Sequence, residues 1–415
     1  MISNFLFIIL NISILSYSFS SFVRGKYVII NFKSLFTLGF IYYLVLPYYF
    51  LVFTKDNSVR AMFSGVYFYV KNISEKNLCM YLISIFILYF SIMFFSKFHI
   101  SCMAHKDKKT KYSTIYKMIY FLLVILCLSF IYKFRGALGK GYTESDNMTG
   151  GKGALISSSL LLFITSFFIV HPQRKSFSIY TFIYFIFALL IMTMGGRIYF
   201  LTSMICIFVF ISHYKHPVRI RNLIFIVLVS AVLFSAIGVI RQGNKTSGKL
   251  ILFIFLGEPI LTSYSLFSCL DMNSLPILKF PLEFISGIIN LIPSFILPNK
   301  LQLVNKASEF SNVLFVAPVG AESVFTSLIV NFGILGIPCF SCMISLFLRF
   351  IRNLNQNLYL FATSWFVFNF FRDPLSISFW KLLFEFSFLF PVILFCFNNF
   401  VSLATDKYKL VCDEK

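Results

Sequence analysis

Long apolar runs separated by short polar stretches make up most of this chain. A helix needs roughly 20 apolar residues to cross a bilayer. Eleven runs approach that length, at about 3–22, 34–53, 78–96, 115–133, 154–170, 177–194, 198–213, 223–240, 323–347, 358–371 and 379–400. The sixth and seventh are parted only by Gly195-Gly196-Arg197, and the tenth is short. The pattern predicts an all-α polytopic membrane protein of about 11 transmembrane helices. It divides the chain into an N-terminal bundle over 1–240 (about eight spans), a large loop over 241–322, and a C-terminal bundle with a short tail over 323–415 (about three spans).

The 241–322 segment is not polar filler. Residues 250–256 and 260–270 are apolar, interrupted by Gly257-Glu258-Pro259, and 285–297 is apolar with Pro293 inside and Pro298 after it. Such broken runs are expected to form short amphipathic helices at the interface or re-entrant turns. One further pair of true spans is the other reading, and it leaves the flanking orientation unchanged. No internal repeat, low-complexity tract or soluble domain is visible.

Orientation follows from basic residues in short loops. Alternate loops are compact and basic: Arg24/Lys26/Lys33, Lys106 through Lys117, Arg174/Lys175, Lys215/Arg219/Arg221, Arg349/Arg352, and a tail with Lys407 and Lys409. These are assigned to the cytoplasm. Segments 54–77, 134–153, 195–197, 241–322 and 372–378 then face outward, with the N-terminus outside and the C-terminus inside.

Composition agrees with this class. The 415 residues are 59% hydrophobic and 12% charged, too little charge for a soluble domain of this size. The 57 Phe and 22 Tyr suit lipid-facing surfaces and interface belts. A net charge of +21 fits anionic lipid head groups or an anionic lipid-linked substrate. No basic patch sits on a soluble domain, so nucleic acid is not an expected partner. The nine cysteines are scattered, and Cys339/Cys342 falls inside an apolar run as small packed residues. Residues 1–22 lack a basic segment before their apolar core and read as a retained first span.

Candidate chemistry gathers at the outward ends of the spans. Arg135, Arg197, Arg241 and Arg372 fall there, in Lys133-Phe134-Arg135-Gly136, Gly195-Gly196-Arg197-Ile198, Ile240-Arg241-Gln242-Gly243 and Phe371-Arg372-Asp373-Pro374. Arginine at the edge of hydrocarbon is costly and needs a partner or a purpose. A guanidinium presents a planar fork matched to phosphate oxygens. Glycines beside Arg135, Arg197 and Arg241 would let backbone N–H groups approach an anion. The plainer account is snorkelling to the interface or pairing with a carboxylate, which for Arg372 means its neighbour Asp373.

Among the few carboxylates, Glu322 precedes a span by one residue, where a raised pKa would suit a general base. It serves equally as a charge complementing a helix N-terminus. Glu144 and Asp146 are further candidates for acid/base work or acceptor contacts. Lys381 and Glu385, four residues apart in the last span, pair with each other. All five histidines fall on the inner side of this topology. No metal-ligand, Walker A or dinucleotide-binding pattern is present, so no metal and no cofactor are expected.

The layout resembles the Wzy-type O-antigen (oligosaccharide repeat-unit) polymerases. The likeness rests on Met194-Gly195-Gly196-Arg197-Ile198-Tyr199, Arg241-Gln242-Gly243-Asn244, and Glu322-Ser323 through Asn331-Phe332-Gly333-Ile334-Leu335-Gly336, in that order around one long loop. It implies a bacterial inner-membrane protein with its active face and large loop in the periplasm. The implied reaction is metal-independent transfer of a growing glycan from undecaprenyl pyrophosphate to a sugar hydroxyl of a new lipid-linked repeat unit, in lipopolysaccharide biosynthesis. The implied roles are pyrophosphate binding by Arg197, Arg241, Arg135 and Arg372, with Arg241 also catalytic and Glu322 the base. Segments 250–270 and 279–297 would form a lid over the glycan; Phe253, Phe255 and Tyr264 there are available to stack on sugar rings, with membrane contact as the favoured role. Implied partners are the lipid-linked oligosaccharides, membrane lipids and a chain-length regulator protein. Two rivals share this setting. A flippase for the same lipid-linked glycan would bury charges mid-span and show paired repeats. An O-antigen ligase usually carries a histidine in the large loop, and this chain has none there.

Overall fold

The structure, a computed structural model, describes residues 2–24, 27–28, 30–53, 73–100, 131–138, 197–214, 218–219, 248–292, 296–300, 313–317, 321–354, 356–372 and 374–375, with isolated residues between 71 and 303. Every described element of appreciable length is a helix. In chain order these are α1 (Ile2–Phe22), α2 (Phe32–Phe53), α3 (Glu75–Ile100), α4 (Arg197–Tyr214), α5 (Gly248–Met272), α6 (Leu282–Leu291), α7 (Val324–Phe332), α8 (Gly336–Leu354), α9 (Gln356–Trp365) and α10 (Asn369–Arg372). Three of them, α2, α3 and α8, are long and apolar enough to cross a membrane. An antiparallel ribbon of two-residue strands departs from the all-helical expectation: Val23–Arg24 pairs with Tyr27–Val28, which pairs with Val218–Arg219. It joins two of the basic loops that the charge pattern assigns to one side.

The chain divides into two compact units. One comprises Met1–Cys102, Ile211–Phe350 and Ala362–Leu382, the other Met103–Phe210, Ile351–Phe361 and Leu383–Lys415. The first is built around α2, α3 and α5. Its interior is largely aromatic: Phe36, Phe40, Tyr43, Tyr48, Tyr81, Tyr89 and Phe267 are all fully buried. Tyr81 stacks on Phe267 with ring centroids 4.2 Å apart and on Tyr48 at 5.7 Å. The Thr37 and Tyr89 hydroxyls meet at 3.1 Å. Close approach depends on Gly39, where a Cβ would stand 2.1 Å from the Val367 carbonyl oxygen. A small residue at a helix contact serves a bundle in this way wherever packing, not water exclusion, holds the helices together.

One end of this unit is marked by polar contacts. The Ile2 backbone N–H donates to Glu75 Oε1 at 2.8 Å, and Asn77 Nδ2 donates to Asp271 Oδ1 at 3.2 Å. The starts of α1 and α3 and the finish of α5 therefore share one end. At the other end Phe32 meets the ring of His99, with centroids 4.7 Å apart.

The pattern of spans needs revision in three places. The 323–347 run is two helices. Gly333 breaks it at φ +74°, and the Ile334 and Leu335 N–H groups leave the helix to donate to Pro276 and Ile277 carbonyls at 3.1 and 3.2 Å. The 358–371 run is likewise split, into α9 and the short α10. Conversely, 250–270 is one unbroken 25-residue helix, α5, with Pro259 inside it. The expected spans at 115–133, 154–170, 177–194, 223–240 and 379–400 lie wholly or mostly outside the described residues.

Candidate functional site

Continuity of α5 through Gly257-Glu258-Pro259 has a local cause. Proline has no N–H, so the carbonyl four residues earlier, that of Phe255, loses its helical partner. A buried carbonyl without a partner is costly. The Tyr42 hydroxyl supplies the missing donor, 2.6 Å from the Phe255 oxygen. Its neighbour Tyr43 donates to Glu258 Oε1 at 2.9 Å. Both tyrosines stand in a π-helical turn, Ile41–Val45, inside α2. Consecutive residues of an α-helix diverge by about 100°. In this widened turn both hydroxyls serve the same face of α5. Single π turns of this kind recur at functional sites.

Glu258 Oε1 also accepts from Arg372 Nε at 3.1 Å, with the two side chains 31% and 40% exposed, so the pair can be reached from outside the packed core. Tyr43 lies about halfway along α2, and the Phe371 ring stacks on it at 6.1 Å. Arg372 is therefore level with the middle of that helix, not with the end of a span as its position in the sequence suggests. A charged pair at mid-depth in a helical bundle marks a polar interior.

A second carboxylate lies further along α5. Glu322 is buried at the head of α7, with 7% of its surface exposed. Ser327 Oγ donates to Glu322 Oε1 and itself accepts the Leu375 backbone N–H at 3.0 Å. Burial pushes the Glu322 pKa up to about 8, and nearby Glu283 pushes the same way. Ser323 caps α7 through the Phe325 N–H, and its own N–H donates to Ser265 Oγ of α5 at 2.8 Å. Ser265 Oγ is also 3.1 Å from Thr326 Oγ1. Ser268 Oγ accepts the Val316 N–H at 2.9 Å, and Asn273 Oδ1 accepts the Leu314 N–H at 3.0 Å. Glu258, Thr262, Ser265 and Ser268 thus form a polar ladder on α5, with steps of three or four residues.

Glu283 of α6 borders this region. Asn331 links the two helices, its Oδ1 accepting the Phe284 N–H at 2.6 Å and its Nδ2 reaching Glu283 Oε2 at 3.5 Å. Burial raises the Glu283 pKa, and burial lowers that of Lys279. The segment 372–375 joins the two carboxylate centres. Arg372 holds Glu258, and three residues later the Leu375 N–H meets the serine that serves Glu322. A carboxyl with its pKa raised to about 8 and a part-exposed cation are the groups this site offers for moving a proton and holding an anion.

Of the residues singled out in the sequence, Glu322 and Arg372 come together in this way. Arg135 belongs to the second unit, where its guanidinium carbon lies 4.4 Å from the Tyr132 ring centroid, a cation–π contact. Arg197 opens α4. Arg241, Glu144, Asp146 and Asp373 lie outside the described residues. Phe255, available in the sequence as a sugar platform or a membrane contact, packs edge-on to Tyr42, with centroids 5.2 Å apart. The residues missed were Tyr42, Tyr43 and Glu258. The signal for them was present, since a carboxylate directly before a proline in a long apolar run needs partners from elsewhere in the chain. Comparison of the chain with protein-family models, with characterised proteins and with solved structures found no match.

Proposed function

We propose that this protein is an O-antigen polymerase, a glycosyltransferase of the bacterial inner membrane. On this reading it joins undecaprenyl-pyrophosphate-linked oligosaccharide repeat units at the periplasmic face, within a bundle of about eleven spans. The observation that carries the reading is Glu322, a buried carboxyl with a pKa of about 8 at the head of a broken helix, tied through Ser327 to the segment that bears Arg372. The reaction needs a base for the acceptor hydroxyl and a cation for the leaving group. The acceptor oxygen attacks the anomeric carbon, the bond from that carbon to the pyrophosphate oxygen breaks, and the hydroxyl proton passes to the Glu322 carboxylate. The departing lipid pyrophosphate keeps the electron pair, and guanidinium groups neutralise its charge. The family resemblance assigns that part to Arg372, Arg197, Arg241 and Arg135. Such a mechanism needs no metal.

A second reading, a carrier for the same lipid-linked glycan, is favoured by one observation. The Glu258–Arg372 pair sits level with the middle of α2, and mid-depth charges with interrupted helices are features of carriers. Deleting the gene and resolving lipopolysaccharide by gel separates the two. Caps of a single repeat unit indicate a lost polymerase, whereas complete absence of glycan caps indicates a lost flippase or ligase. Arg197→Ala and Arg241→Ala are expected to give the single-repeat pattern at normal protein levels.

A further inference from the structure

We infer that Glu258 is a positioning residue that sets the Arg372 guanidinium, and that the tyrosine pair Tyr42–Tyr43 sets Glu258. The phosphate-bearing ligand for which Arg372 is held rests on the polymerase reading, but the positioning itself does not. Three observations carry it. One oxygen of Glu258 receives both the Tyr43 hydroxyl, at 2.9 Å, and Arg372 Nε, at 3.1 Å, so the rotamer of the carboxylate fixes where the arginine points. The backbone that carries Glu258 is pinned one turn earlier, where Tyr42 replaces the hydrogen bond that Pro259 removes. Finally, both tyrosines project from a single π-helical turn, a conformation that brings consecutive hydroxyls to positions 255 and 258 of the same helix.

The arrangement does more than neutralise a charge. An arginine that must meet an anion arriving from outside is floppy on its own, and ordering it on arrival costs affinity. A carboxylate partner at its Nε orders it beforehand. Because the pair is part-exposed, the attraction is modest and an incoming dianion can outcompete it. Tyr43 keeps Glu258 in place when the arginine turns to the ligand, so the cluster resets after release.

The test uses the full-length protein purified in nanodiscs. Arg372 is modified with phenylglyoxal, and the extent is read by peptide mass spectrometry in the parent, Glu258→Gln, Glu258→Asp and Tyr43→Phe proteins, each first checked for an unchanged melting temperature. Glu258→Gln and Tyr43→Phe are expected to speed modification by about two- to five-fold, the scale of a part-exposed ion pair. Glu258→Asp is expected to restore most of the protection. Equal rates in the parent, Glu258→Gln and Tyr43→Phe proteins would overturn the inference. Undecaprenyl pyrophosphate is then added as protectant. Faster modification in the variants, with no protection by the lipid, upholds the positioning role and removes the polymerase reading. Protection in the parent, together with a raised KM and a little-changed kcat for Tyr43→Phe in glycan transfer, upholds both.

Discussion

Glu322 couples stability to pH, and on the polymerase reading it couples activity to pH in the opposite direction. Its pKa is raised from an ordinary 4.5 to about 8 because burial disfavours the charged form. The folded protein therefore binds this proton more tightly than the unfolded chain does. The stabilisation is complete below about 4.5 and is lost as pH rises through about 8. Melting temperatures of the parent in detergent are expected to fall between pH 5 and pH 9, and Glu322→Gln is expected to flatten that fall. If Glu322 is the base of the proposed polymerase, activity runs the other way, since a base must first be deprotonated. Glycan polymerisation is expected to climb through about pH 8 in the parent, and to drop by about 10²–10⁴-fold in the glutamine variant. A glutamine variant that polymerises normally would end the assignment of Glu322 as base. Tyr42 is a purely structural test at the same scale. Tyr42→Phe leaves the Phe255 carbonyl without its donor, at a cost of about 1–3 kcal/mol. The checking measurement is thermal unfolding, with Tyr49→Phe as a control at a half-exposed neighbour on the same helix.

At the scale of elements, the breaks matter as much as the helices. Gly333 ends α7 with a backbone conformation that side chains rarely adopt, and a Cβ there would meet the Pro276 and Ile277 carbonyl oxygens at 2.6 and 2.7 Å. These are backbone atoms and cannot swing aside. Gly333→Ala is expected to cost about 1–3 kcal/mol, read by unfolding, and on the polymerase reading to lower polymerisation by loosening the turn that seats α7 and hence Glu322. The starts and ends of α1, α2, α3 and α4 were legible from apolar run lengths alone, because each run is uninterrupted. The interruptions were not legible. Pro259 looked like a break and is not one, because Tyr42, more than two hundred residues earlier, repairs the helix. Gly333 looked like one of two glycines in a long span, yet it breaks the helix because the 276–279 loop takes over its hydrogen bonds. In both cases the deciding partner is distant in sequence, and a local pattern carries no information about it. Glu322 was readable as a carboxylate beside a span. The ladder of Glu258, Thr262, Ser265 and Ser268 was readable as a polar stripe at helical spacing. The Arg372–Glu258 partnership was not, because Asp373 offered a nearer carboxylate.

At the scale of the whole molecule, α5 changes what the long segment after Arg241 is. It has 25 residues, a length of about 37 Å against a hydrocarbon thickness of about 30 Å. It also runs beside α3, which is long and apolar enough to cross a membrane. Its Met272 end is tied to the start of α3 by the contact of Asp271 with Asn77, and the start of α3 is tied to the start of α1 by the contact of Glu75 with Ile2. If α3 crosses the membrane, α5 is long enough to cross it in the opposite direction, and Gly248 then lies at the far face from Asn273. The basic-loop pattern alone would keep both of these residues outside. The two possibilities are distinguishable by single cysteines introduced at Gly248 and at Asn273 in intact cells and probed with a membrane-impermeant maleimide. A spanning α5 predicts labelling at 273 from the outer side and labelling at 248 only after the membrane is opened, an outcome that would put Arg241 near the inner face and remove it from the leaving-group site of the polymerase reading. Periplasmic labelling at both would return the segment to a surface lid, and would place the polar ladder of α5 along the membrane surface instead of through it. Labelling on opposite sides would place Glu258 and Arg372 about 20 Å below the Met272 end, fourteen residues of rise. On the polymerase reading the donor would then have to reach that depth, which is testable by comparing transfer rates for one-unit and multi-unit donors in the same membranes.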